Sequence, residues 1–431
     1  MRIRSETVWV DTNSDPMHQV DPMDSLRVVR FLLLAVVLAC EFPFLEIKAE
    51  EKLYLEVGQV QLSQRLNLPE VPFDYAGQKI PQHVRSHELA FDNEPSKNKI
   101  TNHGATLGRV LFYEKGLSVN GSISCGSCHM QRYAFSDPRK KSSGYKGQLG
   151  SRNSMALVNL RFNPSGRFFW DERAESLESQ VLMPIVDENE MGHSLGDVER
   201  FLQNDPLYLE LFSSAFGDPT ITRQRIAMAL AQFLRSMISF NSRYDRGLAI
   251  TGDVTQPFPN YTEQENLGKT EFFGRGRCAE CHLPQLPQGG RSSQQHAFFQ
   301  LLSPMVNGVD SDTPEADEGV FVVTKKVQDI GKFKASSLRN IELTAPYMHD
   351  GRFQTLDQVL EHYNWSVKPH PNLDPRLKDF SANGMAMPEV QKVALAAFLR
   401  TLTDPQFIHD PKFSDPFIVQ DDYSSVRESN D

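Results

Sequence analysis

The chain has 431 residues, of which 39% are hydrophobic and 23% are charged, and its formal net charge is −10. This length predicts two compact domains, and the hydrophobic content allows buried cores. The acidic balance argues against a nucleic acid as partner and permits docking of a basic protein. There are five cysteines, and four belong to the two motifs described below, so no disulfide framework is available.

The N-terminal segment has the pattern of an export signal. Arg27 and Arg30 precede an apolar run at residues 31–39, which is far shorter than the roughly 20 residues that span a bilayer. We predict that residues 1–22 are an upstream extension and residues 23–49 a signal peptide or N-terminal anchor. The segment ends either by cleavage near Ala49 or at a lipobox whose last residue, Cys40, carries a lipid. Both endings predict an exported, periplasmic protein, and the lipobox also predicts membrane anchoring.

The first half of the chain reads as a lead-in followed by helices. Residues 50–100 are rich in proline and predict an irregular segment. An apolar face at residues 107–113 predicts a helix that ends near Gly116. Residues 136–150 are rich in Ser, Gly and Lys and predict a loop. Residues 197–216 are predicted to be helical with a break at Pro206.

The clearest helical pattern covers residues 222–240, where apolar residues recur at steps of three and four. Residues 251–261 contain two prolines and are predicted to be an interdomain linker. Thr262 and Glu265 have the spacing of a capping box, which predicts a helix that runs to about Phe273.

The last part of the chain is predicted to be a long loop followed by one more helix. Residues 284–320 are rich in Pro, Gly, Gln and Ser and predict the loop. Pro388 suits the first position of a helix that extends to Leu402. The polar tail after Asp404 is predicted to be peripheral.

Two pentapeptides indicate the chemistry of the chain. They are Cys125-Gly126-Ser127-Cys128-His129 and Cys278-Ala279-Glu280-Cys281-His282. C-x-x-C-H is the attachment signature of haem c, in which two thiols bind the vinyl groups and the adjacent imidazole reaches the iron. Two copies predict two covalently bound haem c groups. The alternative is one zinc ion held by the four cysteines, which leaves both histidines unexplained.

Each motif follows a helix and precedes a loop and further helices. This repetition predicts an all-α fold of two cytochrome c-like domains, each with one covalently bound haem c. We expect a first haem domain at residues 50–250, a second haem domain at residues 262–405 and a tail at residues 406–431. The functional site is expected at and near the domain interface.

The sixth ligand position of each iron decides its function. No histidine lies between His129 and Glu190, so the far face of the first iron is predicted to be open to peroxide. Peroxide cleavage needs a group that moves a proton from one oxygen to the other, and a carboxylate serves. Composition leaves Glu175, Glu188 and Glu190 as candidates.

Two runs of residues resemble the bacterial di-haem cytochrome c peroxidase family, which includes MauG. The first run contains Arg152-Asn153-Ser154, Phe169-Trp170-Asp171-Glu172-Arg173, Leu177-Glu178, Gln180, Pro184 and Glu190-Met191. The second contains Ser337-Leu338-Arg339-Asn340 and Leu343-Thr344-Ala345-Pro346-Tyr347-Met348-His349-Asp350-Gly351-Arg352-Phe353. The resemblance covers roughly residues 65–405 and, with both haem motifs, is highly specific.

The resemblance implies roles for individual residues. Glu190 would be the acid-base residue at the peroxide-binding haem, Gln180 its neighbour and Trp170 the electron relay between the haems. Three oxygen donors, which suit a hard cation, would hold a calcium ion between the domains: Asn153, Thr344 and the backbone carbonyl of Pro346.

The sequence departs from the family pattern at two places. Many members carry a histidine after the first motif that blocks the iron until the other haem is reduced, and residues 136–150 contain none. This predicts a site that is open without reductive activation. The second haem of the peroxidases has a Met ligand where this chain has Tyr363, and MauG also uses Tyr there. Three further ligand candidates stay open: Met385, Met387 and His362.

We therefore expect a peroxidase that reduces hydrogen peroxide with electrons from a small redox protein, a cytochrome c or a cupredoxin. Electrons would enter at the C-terminal haem and pass to the N-terminal haem. One alternative is a MauG-like enzyme that oxidises a protein substrate through a high-valent iron state. Another is a non-catalytic di-haem electron carrier or sensor. The sequence leaves open the donor and whether the chain forms a homodimer.

Overall fold

The part of the chain that the structure describes is built of helices and loops, with isolated β-bridges and no strand. The structure is a computed structural model, and it describes residues 62, 64–81, 91–282, 300, 303–311, 313 and 315–418. The predicted extension, signal segment and Cys40 lie outside these residues, as does much of the loop predicted at 284–320. All described residues belong to one unit, Tyr54–Asp431. None of the described helices is long and apolar enough to cross a membrane.

The helices have the following bounds. The α-helices are α1 (Asn102–Tyr113), α2 (Cys125–Cys128), α3 (Leu177–Gln180), α4 (Met183–Val186), α5 (Leu195–Gln203), α6 (Pro206–Phe216), α7 (Arg223–Ser236), α8 (Arg243–Thr251), α9 (Glu263–Phe273), α10 (Ala279–His282), α11 (Phe321–Thr324), α12 (Leu356–Trp365), α13 (Lys378–Asn383), α14 (Glu389–Arg400) and α15 (Pro405–His409). Short 3₁₀ turns lie at Lys115–Leu117, Gln131–Tyr133, Leu160–Phe162, Val327–Asp329, Ile341–Leu343, Pro375–Leu377 and Pro411–Phe413. The expectation of a helical fold is confirmed.

The helices enclose two main hydrophobic cores. The first core forms around α1, α6 and α7 and includes Phe112 and Phe233. The second forms around α8, α9 and α14 and includes Phe272 and Phe398. Each core lies beside one of the two C-x-x-C-H motifs, because Cys125 and Cys278 pack against the first and second core respectively.

The same close helix crossing occurs in both cores. In the first, α1 approaches α7 so closely that a Cβ atom at Gly108 would lie 2.0 Å from the carbonyl oxygen of Ala229. In the second, α9 approaches α14, and a Cβ atom at Gly268 would lie 1.8 Å from the carbonyl oxygen of Ala394. Both glycines lie on the helix that precedes a haem motif. The repeated plan that the sequence indicated is therefore present in the helix packing, although the domain boundaries remain a prediction.

Local signals predicted the starts of helices better than their ends. Thr262 and Glu265 form the predicted capping box, and α9 runs to Phe273. The hydroxyl of Thr222 accepts a hydrogen bond from the backbone N–H of Arg225, so α7 begins where predicted. This helix ends at Ser236, four residues before the predicted end. The chain leaves the helix there because Asn159 accepts from the Ser239 backbone at 2.8 Å and donates to its carbonyl at 3.1 Å. Pro388 precedes α14 instead of opening it.

The prediction of a peripheral tail is wrong for residues 405–418. Phe407 and Phe413 are buried in the first core, and the hydroxyl of Tyr113 donates to the Phe413 carbonyl at 2.7 Å. Two isolated aromatic residues, six positions apart in polar surroundings, have no helical or strand period. The segment therefore gave no sequence signal of its return to the first core.

Candidate haem sites

The first motif forms one helical turn that directs both thiols and the imidazole toward the same space. Ser124 caps this turn with Ser127, and the His129 backbone donates to the Cys125 carbonyl at 2.9 Å. Nδ1 of His129 lies 2.9 Å from the Phe135 carbonyl. Since a carbonyl only accepts, Nδ1 carries the proton and the lone pair remains on Nε2. Burial lowers the pKa of His129, so the ring stays neutral and able to bind a metal.

We call the space that Cys125, Cys128 and His129 line the first cavity. Three residues predicted from the family resemblance line the same cavity: Gln180, Glu190 and Trp170. Its wall also includes apolar side chains, among them Leu157, Phe168, Phe169, Pro184 and Met191. Of the three carboxylates that composition left open, Glu190 lies in this lining, whereas Glu175 and Glu188 do not.

Glu190 is half-buried and lines the first cavity. Burial raises its pKa, the negative charge of Asp187 raises it further, and the positive charge of Arg173 opposes both effects. A carboxyl with a raised pKa exchanges a proton more readily near neutral pH than an exposed one. Glu190 is therefore suited to accept and return a proton inside the cavity.

The side chain of Gln180 carries an unpaired polar atom that indicates a bound group. Its Oε1 atom is buried and has no hydrogen-bond partner among the described residues. A buried polar atom left unpaired is costly and calls for an explanation, such as a ligand or water that meets it. With two thiols and a neutral imidazole in the same lining, the residues of the first cavity fit a covalently attached haem.

The second motif lines a separate space, which we call the second cavity. Cys278, Cys281 and His282 line it together with Tyr363 and Met385. Because the two cysteine pairs face different cavities, one zinc ion held by all four is contradicted. Among the described residues, no group of three or more His, Cys, Asp or Glu side chains could hold a metal ion. The residues of the second cavity fit a second attached haem.

The structure separates the four candidates for the sixth ligand of the second haem. Tyr363 and Met385 line the second cavity, and burial raises the pKa of Tyr363. His362 lies outside this lining, with Nε2 at 3.1 Å from the Asn307 carbonyl. Met387 is buried in the second core and also lies outside it. Tyr363 and Met385 are therefore the two of the four candidates that line the same cavity as His282.

Trp170 lines both cavities. Its indole Nε1 donates to the Asn153 carbonyl at 2.7 Å, and its own carbonyl accepts from the Lys334 backbone at 2.8 Å. Arg152 holds the neighbouring Asp171 at 2.6 Å. The indole is thus fixed in a wall that the two cavities share.

Lys334 is a residue of this wall that sequence reasoning missed. Its side chain lines both cavities and donates to Asn163 Oδ1 at 2.7 Å, to Ser165 Oγ at 3.3 Å and to the Arg167 carbonyl. Burial lowers its pKa to about 8. A single lysine three residues before the Ser337 run carries no periodic or motif signal, so only packing reveals it.

The three predicted calcium ligands all line the second cavity: Asn153, Thr344 and Pro346. Asn153 donates with Nδ2 to the carbonyls of Arg139 and Lys140, both at 3.3 Å, which leaves Oδ1 as the atom that can meet a cation. Thr344 donates its hydroxyl hydrogen to the Ile341 carbonyl at 3.2 Å, so its oxygen can accept. The calcium site remains a prediction.

Comparison with known proteins identifies the family. The family model described as di-haem cytochrome c peroxidase matches residues 102–253. Cytochrome c551 peroxidase of Nitrosomonas europaea is 33% identical over 326 residues, covering 75% of this chain and 85% of the relative. The methylamine utilization protein MauG of Methylorubrum extorquens is 31% identical, covering 72% and 80%.

A solved structure agrees with this assignment. The crystal structure of a MauG-like protein associated with microbial copper homeostasis has a TM-score of 0.65 and 32% sequence identity, covering 79% of this chain and 99% of that one. The similarity extends over both haem motifs, since it spans most of each chain. The chain belongs to the di-haem cytochrome c peroxidase family.

Proposed function

We propose that this protein is a di-haem c-type peroxidase that reduces hydrogen peroxide to water with electrons from a small redox protein. The observation that carries the proposal is that Glu190, Gln180 and His129 line one cavity, while Trp170 lines that cavity and the second one. Two electrons from the donor and two protons from solvent convert one peroxide into two waters. Electrons enter at the second cavity and leave the chain at the first.

Each residue group of the first cavity has a separate role in the proposed reaction. Cys125 and Cys128 would hold the haem and His129 would bind its iron; when bound, the haem would supply the metal for redox chemistry with peroxide. Glu190 accepts the proton of the incoming peroxide and returns it to the leaving oxygen. Gln180 presents the unpaired Oε1 to a peroxide O–H. The aromatic wall keeps bulk water away from this transfer.

The remaining parts of the proposal concern electron delivery. Trp170 is the electron relay, because its indole is common to both walls and is held by Asn153. Tyr363 is the proposed sixth ligand of the second haem, and Asn153, Thr344 and Pro346 are the proposed calcium ligands. The net charge of −10 favours a basic donor protein, and the N-terminal pattern supports export to the periplasm.

A second candidate function rests on Tyr363. A tyrosine in the second cavity matches the residue type that MauG uses, and a solved relative at 32% identity is described as MauG-like. A phenolate ligand favours ferric and higher oxidation states. The chain would then use peroxide to oxidise a protein substrate, and Trp170 would carry oxidising equivalents between the cavities.

Steady-state turnover with peroxide and reduced cytochrome c tests the first proposal. Glu190→Gln should lower kcat/KM by about 10²–10⁴-fold, the usual contribution of a positioned acid-base group. Glu175→Gln is the matched control, because the Glu175 side chain is 82% exposed and lies outside the first cavity; its activity should stay unchanged. Absence of turnover in both the as-isolated and half-reduced protein would overturn the peroxidase proposal. Peroxide oxidation of the haems without turnover would support the second candidate.

A further inference from the structure

Residues 142–150 form a short hairpin-like loop beside the first cavity, which we call the Tyr145 loop. Ser143 and Leu149 form an antiparallel bridge, and the Gly144 backbone donates to the Gln148 carbonyl at 2.8 Å. Ser142, Ser143 and Gly144 line the first cavity. The loop is therefore internally bonded and forms part of the cavity wall.

The Tyr145 loop is bonded to the turn that carries the acid-base residue, residues 187–192, which we call the Glu190 turn. The Tyr145 backbone donates to the Glu190 carbonyl at 2.9 Å, and Gln148 Nε2 donates to the Glu188 carbonyl at 2.5 Å. Asn120 holds the loop from the other side by donating to the Tyr145 carbonyl at 3.0 Å. These bonds tie the backbone of Glu190 to the wall of the cavity.

The two segments approach so closely that each needs a glycine. A Cβ atom at Gly144 would lie 2.1 Å from the Asn189 carbonyl oxygen. At Gly192, where φ is +64°, a Cβ atom would lie 2.3 Å from the ring of Tyr145. Side chains at either position would force the loop and the turn apart, and at Gly192 the left-handed backbone also disfavours any other residue.

Among the described residues the Glu190 carboxylate has no direct anchor, and its turn is held by the Tyr145 loop and by the Val119 backbone, which donates to the Met191 carbonyl at 3.0 Å. No hydrogen bond from a described residue to its carboxyl oxygens is present, and the nearby charges of Asp187 and Arg173 act on it at a distance. A catalytic acid-base group must lie within hydrogen-bond reach of the proton it moves. Its placement therefore rests on how firmly the Glu190 turn is held.

We propose that the Tyr145 loop is the positioning element of Glu190, with Gly144, Tyr145 and Gln148 as positioning residues. The loop holds the Glu190 turn by two backbone-directed hydrogen bonds and by contacts that glycines at 144 and 192 permit. The catalytic consequence rests on the proposed peroxidase function, whereas the mechanical coupling of the loop and the turn does not.

Gly144→Ala tests this inference, with Gly196→Ala in α5 as the control, because Gly196 lies outside the Tyr145 loop and outside both cavities. At Gly196 the nearest atom to an added Cβ is 3.9 Å away and φ is not left-handed, so that change leaves the contact between the loop and the turn intact. Gln148→Ala removes the bond to Glu188 without adding bulk, and it keeps the test valid where Gly144→Ala fails to fold. Hydrogen exchange of the holoprotein and the single-turnover rate with peroxide are measured for each variant.

In Gly144→Ala, exchange should rise in residues 143–149 and in residues 187–192 together, with the haem absorption spectrum unchanged. The single-turnover rate with peroxide should fall by about 10²-fold, which is the usual effect of misplacing a catalytic group by about 1 Å. Gln148→Ala should give a smaller change in the same direction, and Gly196→Ala should match the wild type.

Two results would overturn the inference. One is faster exchange confined to the Tyr145 loop. The other is faster exchange in both segments with a wild-type peroxide rate. A wild-type protein that does not react with peroxide would overturn the proposed function alone, because the exchange data still decide whether the loop and the turn are coupled.

Discussion

Replacing Gly108 by alanine tests the helix crossing that supports the first haem motif. A Cβ atom at this position would lie 2.0 Å from the Ala229 carbonyl oxygen and 2.7 Å from Cβ of Phe233. Real Cβ atoms essentially never lie closer than 3.0 Å to such a neighbour. The helices α1 and α7 would therefore have to move apart until the first separation rises from 2.0 Å to at least 3.0 Å.

The structure indicates how much this movement costs. Overpacking a core typically costs about 1–3 kcal/mol, and a gap between packed surfaces forfeits dispersion contacts on both sides. The rings of Phe112 and Phe233 pack against each other at this crossing, with centroids 5.5 Å apart. Because separating the helices also separates these rings, we expect an overpacking cost at the upper end of this range. The substitution also stabilises α1 by about 1 kcal/mol, because alanine has a higher helix propensity than glycine. The free energy of unfolding should therefore fall by about 2 kcal/mol.

Guanidinium unfolding followed by far-UV circular dichroism measures this change on the haem-loaded protein. Gly196→Ala in α5 is the control, because the nearest atom to its added Cβ is 3.9 Å away; it should stabilise the fold by about 0.4–1 kcal/mol. Gly268→Ala should destabilise the second crossing as Gly108→Ala does the first. A Gly108→Ala protein as stable as Gly196→Ala would refute the reasoning.

Three further predictions concern the site. Asp187→Asn keeps the side-chain oxygen that accepts from the Asn189 backbone but removes a charge that raises the pKa of Glu190, so the acid limb of the kcat/KM profile should move to lower pH; an unmoved limb would remove Asp187 as a cause. Trp170→Phe loses the 2.7 Å indole hydrogen bond, worth about 0.5–1.5 kcal/mol, and should slow electron transfer between the haems in flash or stopped-flow reduction; an unchanged rate would exclude the relay. Tyr363→Phe should change the absorption and electron paramagnetic resonance spectra of the second haem, and identical spectra would leave Met385 as the candidate ligand.

The haem sites were predictable where the signal is local. In each motif the cysteines and the histidine lie on one helical turn, so spacing alone directs them to one cavity. The capping box at Thr262 likewise depends on contacts between residues three positions apart. These local contacts form in any fold that contains the segment, because the residues that make them are neighbours in the chain.

Other features gave weak or misleading signals. The helix that begins after Thr222 ends early because Asn159, far away in the chain, bonds to the residues that would continue it. Phe407 was assigned to a peripheral tail, yet it is buried in the first core. In both cases a distant partner outweighs the local pattern, which no inspection of the local segment could reveal.

The two haem-attachment motifs and the helical fold were predictable from the sequence alone, because those features depend on residues close together in the chain. The family resemblance implied the roles of Glu190, Trp170 and Tyr363. The folded chain was needed to place Glu190 and Trp170 in one cavity lining with His129, and Tyr363 and Met385 in the other lining with His282. It also revealed Lys334 in the shared wall and the Tyr145 loop on the Glu190 turn. These arrangements join segments far apart in sequence, and packing at the two glycine crossings is what brings the surrounding helices together.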